Sequence, residues 1–339
     1  MNVNKLKIIA AIIVVSTVIL TFIVPSCGVH EQESGIKSLD ELAQHGDVIS
    51  LQEYEPYEDK LRDMENGSIG VRADYHEYIE YKNARSYPSV PADEIKWYSI
   101  RYQSGEEEVN GYIAAPADYL EKDYSILIYN RGGHATNGQL RAADVQYFAR
   151  FGFIVLASKY RGSGGSTGKD GFGGEDVNDV IKLIDFAEEF TFTNGKIYMF
   201  GWSRGATQTY IVLSRDDRID AAVTGAGPTN IKKLYEEVPF LPFIQQPFSN
   251  LIGGTPETHP EEYEARSAVC WPEKIDTPLW IAHGTADDIV PVHHSEELYN
   301  AMAELGKDVK LSLFPDMEHD HKFPYWGMLP DYVYWLKQH

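Results

Sequence analysis

The sharpest chemical signal lies near the middle of the chain. Gly201-Trp202-Ser203-Arg204-Gly205 follows a short apolar run, Ile197–Phe200, and leads into a helical pattern. A serine set between two glycines at a strand-to-helix turn is a nucleophile elbow. The tight turn forces strained backbone angles on Ser203 and lifts its hydroxyl clear of the strand ends. Side chains two positions to either side would collide with the adjoining strand and helix, which accounts for Gly201 and Gly205. The helix start also aims backbone N–H groups and a partial positive charge at the same place. The chemistry this predicts is attack by a serine hydroxyl on a carbonyl carbon.

Such a serine needs a base, and the base needs an orienting acid. Where the elbow occurs, the chain order is serine, acid, histidine. Residues 279–291 read LWIAHGTADDIVP, an apolar run followed by a loop with Asp287 and Asp288. Residues 310–323 read KLSLFPDMEHDHKF, a further run followed by a loop with His319 and His321. Residue types alone leave both choices open. The oxyanion of a tetrahedral intermediate needs two donors. One is the N–H of Arg204, after the nucleophile. The other is expected from Asn130-Arg131-Gly132-Gly133-His134, with the N–H of Gly132 or Gly133 favoured and the Asn130 amide a further candidate. No metal site is expected: the pairs His293-His294 and His319/His321 lack H-E-x-x-H spacing and a third fixed ligand. The glycine-rich stretch Gly162–Gly174 does not satisfy a phosphate-loop pattern, because Ser163 and Asp170 stand where a glycine and a Ser or Thr are required.

These residues need a scaffold that brings strand ends together. Trp97–Gln103 and Val109–Ala115 read as an antiparallel hairpin around Ser104–Glu108. Short apolar runs follow at Ser125–Tyr129, Phe153–Ser158, Ile197–Phe200, Ala221–Thr224, Leu279–His283 and Lys310–Phe314. Runs apolar on both faces suit the buried strands of a parallel sheet. Helical patterns at Asp176–Glu189, Ser295–Leu305 and Tyr332–Leu336 alternate with them. The fold class is therefore α/β, a sheet covered by helices on both faces. In such a sheet the loops after the strands share one edge. The stretch 235–247, YEEVPFLPFIQQP, is expected to cap that edge, with Trp202 and Tyr160 lining the same apolar pocket.

Of 339 residues, 51 are Asp or Glu and 30 Lys or Arg, a formal net charge of −21. That argues against nucleic acid and anionic lipid surfaces as partners, since both select clustered cations. Two cysteines, Cys27 and Cys270, exclude a disulfide framework. The N-terminus pairs Lys5 and Lys7 with an apolar run from Ile8 to Val24, then Pro25-Ser26-Cys27. This reads as a targeting segment: a lipoprotein signal with Cys27 as the lipidation site, a plain membrane anchor, or a secretory signal. Each places the remaining chain outside the cytoplasm. Residues 28–65 are expected to form a polar tether with short helices and 66–339 one catalytic domain. Cys270 reads as a structural thiol.

Together these segments resemble the catalytic domain of the prolyl oligopeptidase family, within the α/β-hydrolase superfamily. The resemblance spans roughly residues 95–339 and rests on separated motifs in order. They are Tyr160–Gly164 with Gly173–Val180, the elbow at 201–205, Gly253–Glu257 with Arg266-Ser267, His283–Asp288, and Phe314-Pro315 ending at His319. It implies an α/β-hydrolase fold, a mostly parallel central sheet flanked by helices. It also selects Asp287 over Asp288 and His319 over His321 for the triad with Ser203. The chain departs from the family in three ways. About seventy residues before the hairpin leave no room for a β-propeller, Arg204-Gly205-Ala206 follows the serine, and Ile289 stands two places after the aspartate. The implied function is an extracytoplasmic serine hydrolase cleaving a peptide or ester of small size, without metal or organic cofactor. Alternatives are a carboxylesterase or dienelactone-hydrolase-like esterase, and a surface-binding protein that has lost catalysis.

Overall fold

The structure, a computed structural model, describes residues 35–53, 90–134, 139–237, 242–319 and 328–339. The N-terminal stretch expected to act in targeting, with Cys27, the domain boundary expected at residue 66, and His321 lie outside them. Among the described residues no helix is long and apolar enough to cross a membrane.

One nine-stranded sheet organises the described residues, in the order β1-β2-β3-β5-β4-β6-β7-β8-β9. The hairpin is β2 (Ile95–Ser104) and β3 (Glu107–Pro116), paired antiparallel over its full length. The parallel part comprises β4 (Ser125–Asn130), β5 (Phe153–Ser158), β6 (Ile197–Trp202), β7 (Ala221–Gly225), β8 (Leu279–Gly284) and β9 (Val309–Phe314). Strands β4 to β8 are buried along their whole length, as their unbroken apolar runs require.

Side-chain alternation divides these strands between two cores. Ile126, Ile128, Ile154, Leu156 and Met199 face one way. They meet α3 (Val177–Glu188), α4 (Arg204–Leu213) and α8 (His293–Glu304). Leu127, Val155, Phe200, Val223 and Trp280 face the other way, against α2 (Ala142–Ala149) and α9 (Leu329–Leu336). A third, smaller cluster joins α5 (Ile231–Glu237), α6 (Pro242–Ile252) and α7 (Pro260–Glu264) around Ile231, Leu234, Phe248 and Tyr263.

The reading of residues 28–65 as a tether changes where the structure describes them. Residues 35–53 are no tether: they belong to the same compact unit, Gly35–His339. Helix α1 (Leu39–Leu42) buries Leu39 and Leu42 completely, and β1 (Val48–Glu53) pairs antiparallel with β2 as the sheet's outermost strand. The physical reason is that β2 offers an unpaired backbone edge, and covering it satisfies a row of N–H and C=O groups.

The chain leaves β4 for β5 on one side and returns past it to β6 on the other. That reversal opens a crevice at the carboxyl ends of β4 and β6. Asn130 and Gly201 are direct neighbours there, so the loop after β4 and the elbow after β6 are held side by side.

Candidate active site

Ser203 occupies the sharp turn between β6 and α4 with φ 54° and ψ −123°, a conformation few L-residues adopt. Two close approaches require its glycines. A Cβ on Gly201 would lie 2.2 Å from the Gly205 carbonyl oxygen, and one on Gly205 would lie 2.0 Å from that of Asn130. The Ser203 N–H is tied to the Gly225 carbonyl at 2.8 Å. Its hydroxyl caps no helix N–H. Instead it lies 3.0 Å from His319 Nε2.

His319 comes from the loop after β9. Its Nδ1 donates to Asp287 Oδ2 at 2.8 Å, which leaves Nε2 bare to accept the serine proton. Asp287, in the loop after β8, is surrounded by donors. Oδ1 accepts from the N–H groups of Ile289 (3.0 Å) and Val290 (2.8 Å). Oδ2 also faces His283 Nε2 at 3.1 Å. Burial alone would raise this carboxyl's pKa, but the bonds from His283 and His319 outweigh it and hold the pKa at about 2. Asp288, next in sequence, points to solvent.

His283 is a member of the site that residue types did not single out. It is the penultimate residue of β8 and is fully buried. Its Nε2 also meets the Val290 carbonyl at 2.8 Å, which can only accept, so Nε2 carries a proton. Nδ1 is hydrogen-bonded to Ser295 Oγ at 2.6 Å. His283 thereby braces Asp287 Oδ2, the same oxygen that holds His319. The sequence signal was a lone polar residue closing an otherwise apolar strand.

The loop after β4 lies against the nucleophile: a Cβ on Gly132 would stand 3.3 Å from Ser203 Cβ. The Arg204 N–H begins α4, where backbone donors lack intrahelical partners. Asn130 is not arranged as a third donor. Its amide is buried and donates inward to Thr209 Oγ1 at 3.0 Å. Tyr160 is corrected too. It takes φ 64° and is fully buried, with both the Arg131 and Arg204 guanidinium groups on its ring. It lines no pocket. Trp202 is 7% exposed and packs its ring against Gly225 in the core that contains Phe200 and Trp280, so it is chiefly a core residue.

Helices α5 and α6 border the stretch expected to cap the site, whose centre, residues 238–241, lies outside the described residues. Their small core includes Phe172 of the glycine-rich loop and Val290 of the acid loop, which puts them at the same sheet edge as Ser203. Close by, Glu237, His293 and His294 bring three ligand-type atoms within 4.8 Å of one another. The donor chemistry does not suit a metal. The Thr229 and Asn230 N–H groups point at His294 Nδ1 (3.4 and 3.3 Å), so the ring proton belongs on Nε2, the atom that faces the others. Cys270, expected to be structural, is a free and exposed thiol.

The arrangement can withdraw a proton from a serine hydroxyl and stabilise the imidazolium that results. Comparison with known proteins agrees with that chemistry. The chain is 30% identical over 237 residues to an uncharacterized peptidase, YtmA, of Bacillus subtilis, covering 69% of this chain and 90% of that protein. It is 25% identical over 224 residues to the lysophosphatidylserine lipase ABHD12 of Xenopus tropicalis, covering 61% and 56%. Among solved structures it is similar to the acylaminoacyl peptidase of Pyrococcus horikoshii, with TM-score 0.62 and 20% identity. That similarity covers 72% of this chain but only 42% of the archaeal one. These relatives make the chain a serine hydrolase with the α/β-hydrolase fold. The sequence profile of the prolyl oligopeptidase family matches residues 139–337, more than half the length, and the chain belongs to that family.

Proposed function

We propose that the chain cleaves the acyl bond of a short peptide through a covalent intermediate on Ser203. His319 Nε2 takes the hydroxyl proton as Ser203 Oγ attacks the carbonyl carbon. The N–H groups of Arg204 and of Gly132 or Gly133 receive the oxyanion. On collapse, His319 returns the proton to the departing amine. Water then repeats the sequence and frees the acid. Asp287 stays ionised throughout, keeps the Nδ1 proton of His319 in place and balances the imidazolium charge. The observation that carries this reading is the pair of hydrogen bonds on His319, 3.0 Å to Ser203 and 2.8 Å to Asp287, at a serine with φ 54°.

A second reading, hydrolysis of an ester, is favoured by the similarity to the lysophosphatidylserine lipase. Both readings predict labelling by a fluorophosphonate probe in wild type and none in Ser203→Ala. Absence of Ser203-dependent labelling in folded protein removes both. Peptide-coumarin and p-nitrophenyl ester panels, run on the same preparation, decide between them through kcat/KM. We further propose that the protein acts outside the cytoplasm, held by its N-terminal segment. The apolar run 8–24 and Cys27 support this. Radiolabelled palmitate incorporation that vanishes in Cys27→Ser is the expected result. Recovery of the protein in the cytosolic fraction would refute it.

A further inference from the structure

Three successive carbonyls in the loop after β4 are each held from the interior. Arg131 O accepts from the Tyr160 hydroxyl at 3.4 Å, Gly132 O from Arg131 Nη1 at 3.0 Å, and Gly133 O from Arg204 Nη1 at 3.2 Å. In a planar trans peptide the C=O and the following N–H point in opposite directions. The N–H groups of Gly132, Gly133 and His134 therefore face away from the guanidinium layer, and Gly132 lies against Ser203. The sequence itself does not enforce this. Two adjacent glycines rotate freely, and Gly133 already takes φ 74°. Rotation of either peptide would replace a donor with a carbonyl oxygen, which repels an oxyanion.

The guanidinium group that holds Gly133 is set in place at some expense. Arg204 is fully buried, paired with Asp170 through two bonds (2.6 and 2.7 Å) and with Asp176 at 2.8 Å. Tyr160 and Phe172 take its faces at 4.9 and 5.1 Å. Asp176 in turn accepts from the N–H groups of Gly173 and Gly174 and from Gln208. A buried cation with two carboxylates is seldom the most stable filling for a core. Its geometry is explained by what its remaining nitrogen contact does.

We propose that Arg204 and Arg131 are positioning residues that lock the Gly132-Gly133 peptides with their N–H groups toward the oxyanion. Resting on the Ser203 mechanism, this assigns Arg204 two duties: its backbone N–H donates, and its side chain orients the opposing donor.

The test uses Arg204→Lys and Arg131→Lys, which keep the charge but lose the forked reach to the carbonyls. Turnover of a p-nitrophenyl ester is measured alongside inhibition by an aliphatic trifluoromethyl ketone, which forms an oxyanion on serine. The corresponding secondary alcohol, which forms none, serves as reference. We expect kcat to fall about 10- to 100-fold and KM to stay within about threefold. Affinity for the ketone should weaken by the same factor as kcat/KM, and affinity for the alcohol should not change. Wild-type kcat and ketone affinity in both variants would overturn the proposal. So would parallel weakening of ketone and alcohol, which marks a merely structural role. If Arg204→Lys does not fold, Arg131→Lys decides alone. Ester turnover that survives in Ser203→Ala would instead overturn the underlying mechanism, so the two failures are distinguishable.

Discussion

Replacing Asp287 by Asn tests the acid–base chain with a change of one atom. The carboxylate accepts four hydrogen bonds, two from backbone N–H groups and two from imidazole nitrogens. An amide has one oxygen and one NH2 group, so its orientation is forced. The Ile289 and Val290 N–H groups cannot become acceptors, and the amide oxygen must face them. The NH2 group then faces His319 Nδ1 and His283 Nε2. To accept from it, His319 must move its proton to Nε2, the atom 3.0 Å from Ser203. The base becomes a donor and can no longer take the serine proton. His283 cannot make the same exchange, because its Nε2 is committed to the Val290 carbonyl. Loss of general base catalysis predicts a fall in kcat/KM of about 10³- to 10⁴-fold, roughly 4–5.5 kcal/mol in the barrier. The donor–donor conflict at His283 adds a stability cost of about 1–3 kcal/mol. In a domain of this size that lowers Tm by about 2–6 °C. The assay is ester hydrolysis with thermal unfolding on the same samples, and Asp288→Asn as control, expected within about twofold of wild type. Activity of Asp287→Asn within tenfold of wild type would refute the assignment of tautomers.

The depressed pKa of Asp287 has a pH signature. With a usual value of 3.8 lowered to about 2, the group contributes stability that is complete above pH 3.8 and disappears as pH falls toward 2. The amount is about 2 kcal/mol, measurable as a loss of denaturation free energy across that window, smaller in Asp287→Asn. Ser203→Gly removes the nucleophile but relieves a φ of 54°. The relief of about 1–3 kcal/mol, less about 1 kcal/mol of added chain entropy, should leave the inactive variant as stable as wild type or more so by calorimetry. Gly205→Ala drives a Cβ to within 2.0 Å of a backbone carbonyl oxygen, which has no freedom to yield. A destabilisation of about 3 kcal/mol or more by urea unfolding is expected. Dialysis against EDTA should leave both activity and Tm unchanged, since the His294 tautomer opposes a metal at Glu237 and His293. A loss reversed by zinc would contradict it.

The buried strands were legible because a strand covered on both faces has no polar register to confuse the pattern. Ser125–Tyr129 and Phe153–Ser158 fall within one residue of the observed β4 and β5. Strand β1 was not legible. Its burial alternates weakly and it ends in Gln52-Glu53, so nothing in its own residues announces a strand, and only the edge of β2 makes it one. At the site, the glycines flanking Ser203 carried their own steric argument. Asp287 and Asp288 did not, because adjacent identical side chains differ only in which way the loop turns them. Tyr160 was misread because its burial under two guanidinium groups, from residues 29 and 44 positions away, is not visible in residue type. The side chain of Arg204 was invisible for another reason. Its partners Asp170 and Asp176 lie 34 and 28 residues away, and only the fold brings them together.

The two ends of the compact unit both contact the segment between α3 and β6. Ile36 is bridged to the Glu189–Thr191 segment, and the His339 carbonyl accepts from Lys196 Nζ at 3.0 Å. Both contacts lie just before β6 begins, whereas Ser203 follows its end, six residues and about 20 Å along the strand. A fluorophore, an affinity tag or a solid support coupled at residue 35 or 339 would therefore attach to the floor of the sheet, with the reacting edge turned outward. Surface immobilisation through either end should preserve solution kcat/KM. A peptide linker joining the two ends would also create a circular permutant, with new termini free to open at an exposed turn such as Gly105-Glu106.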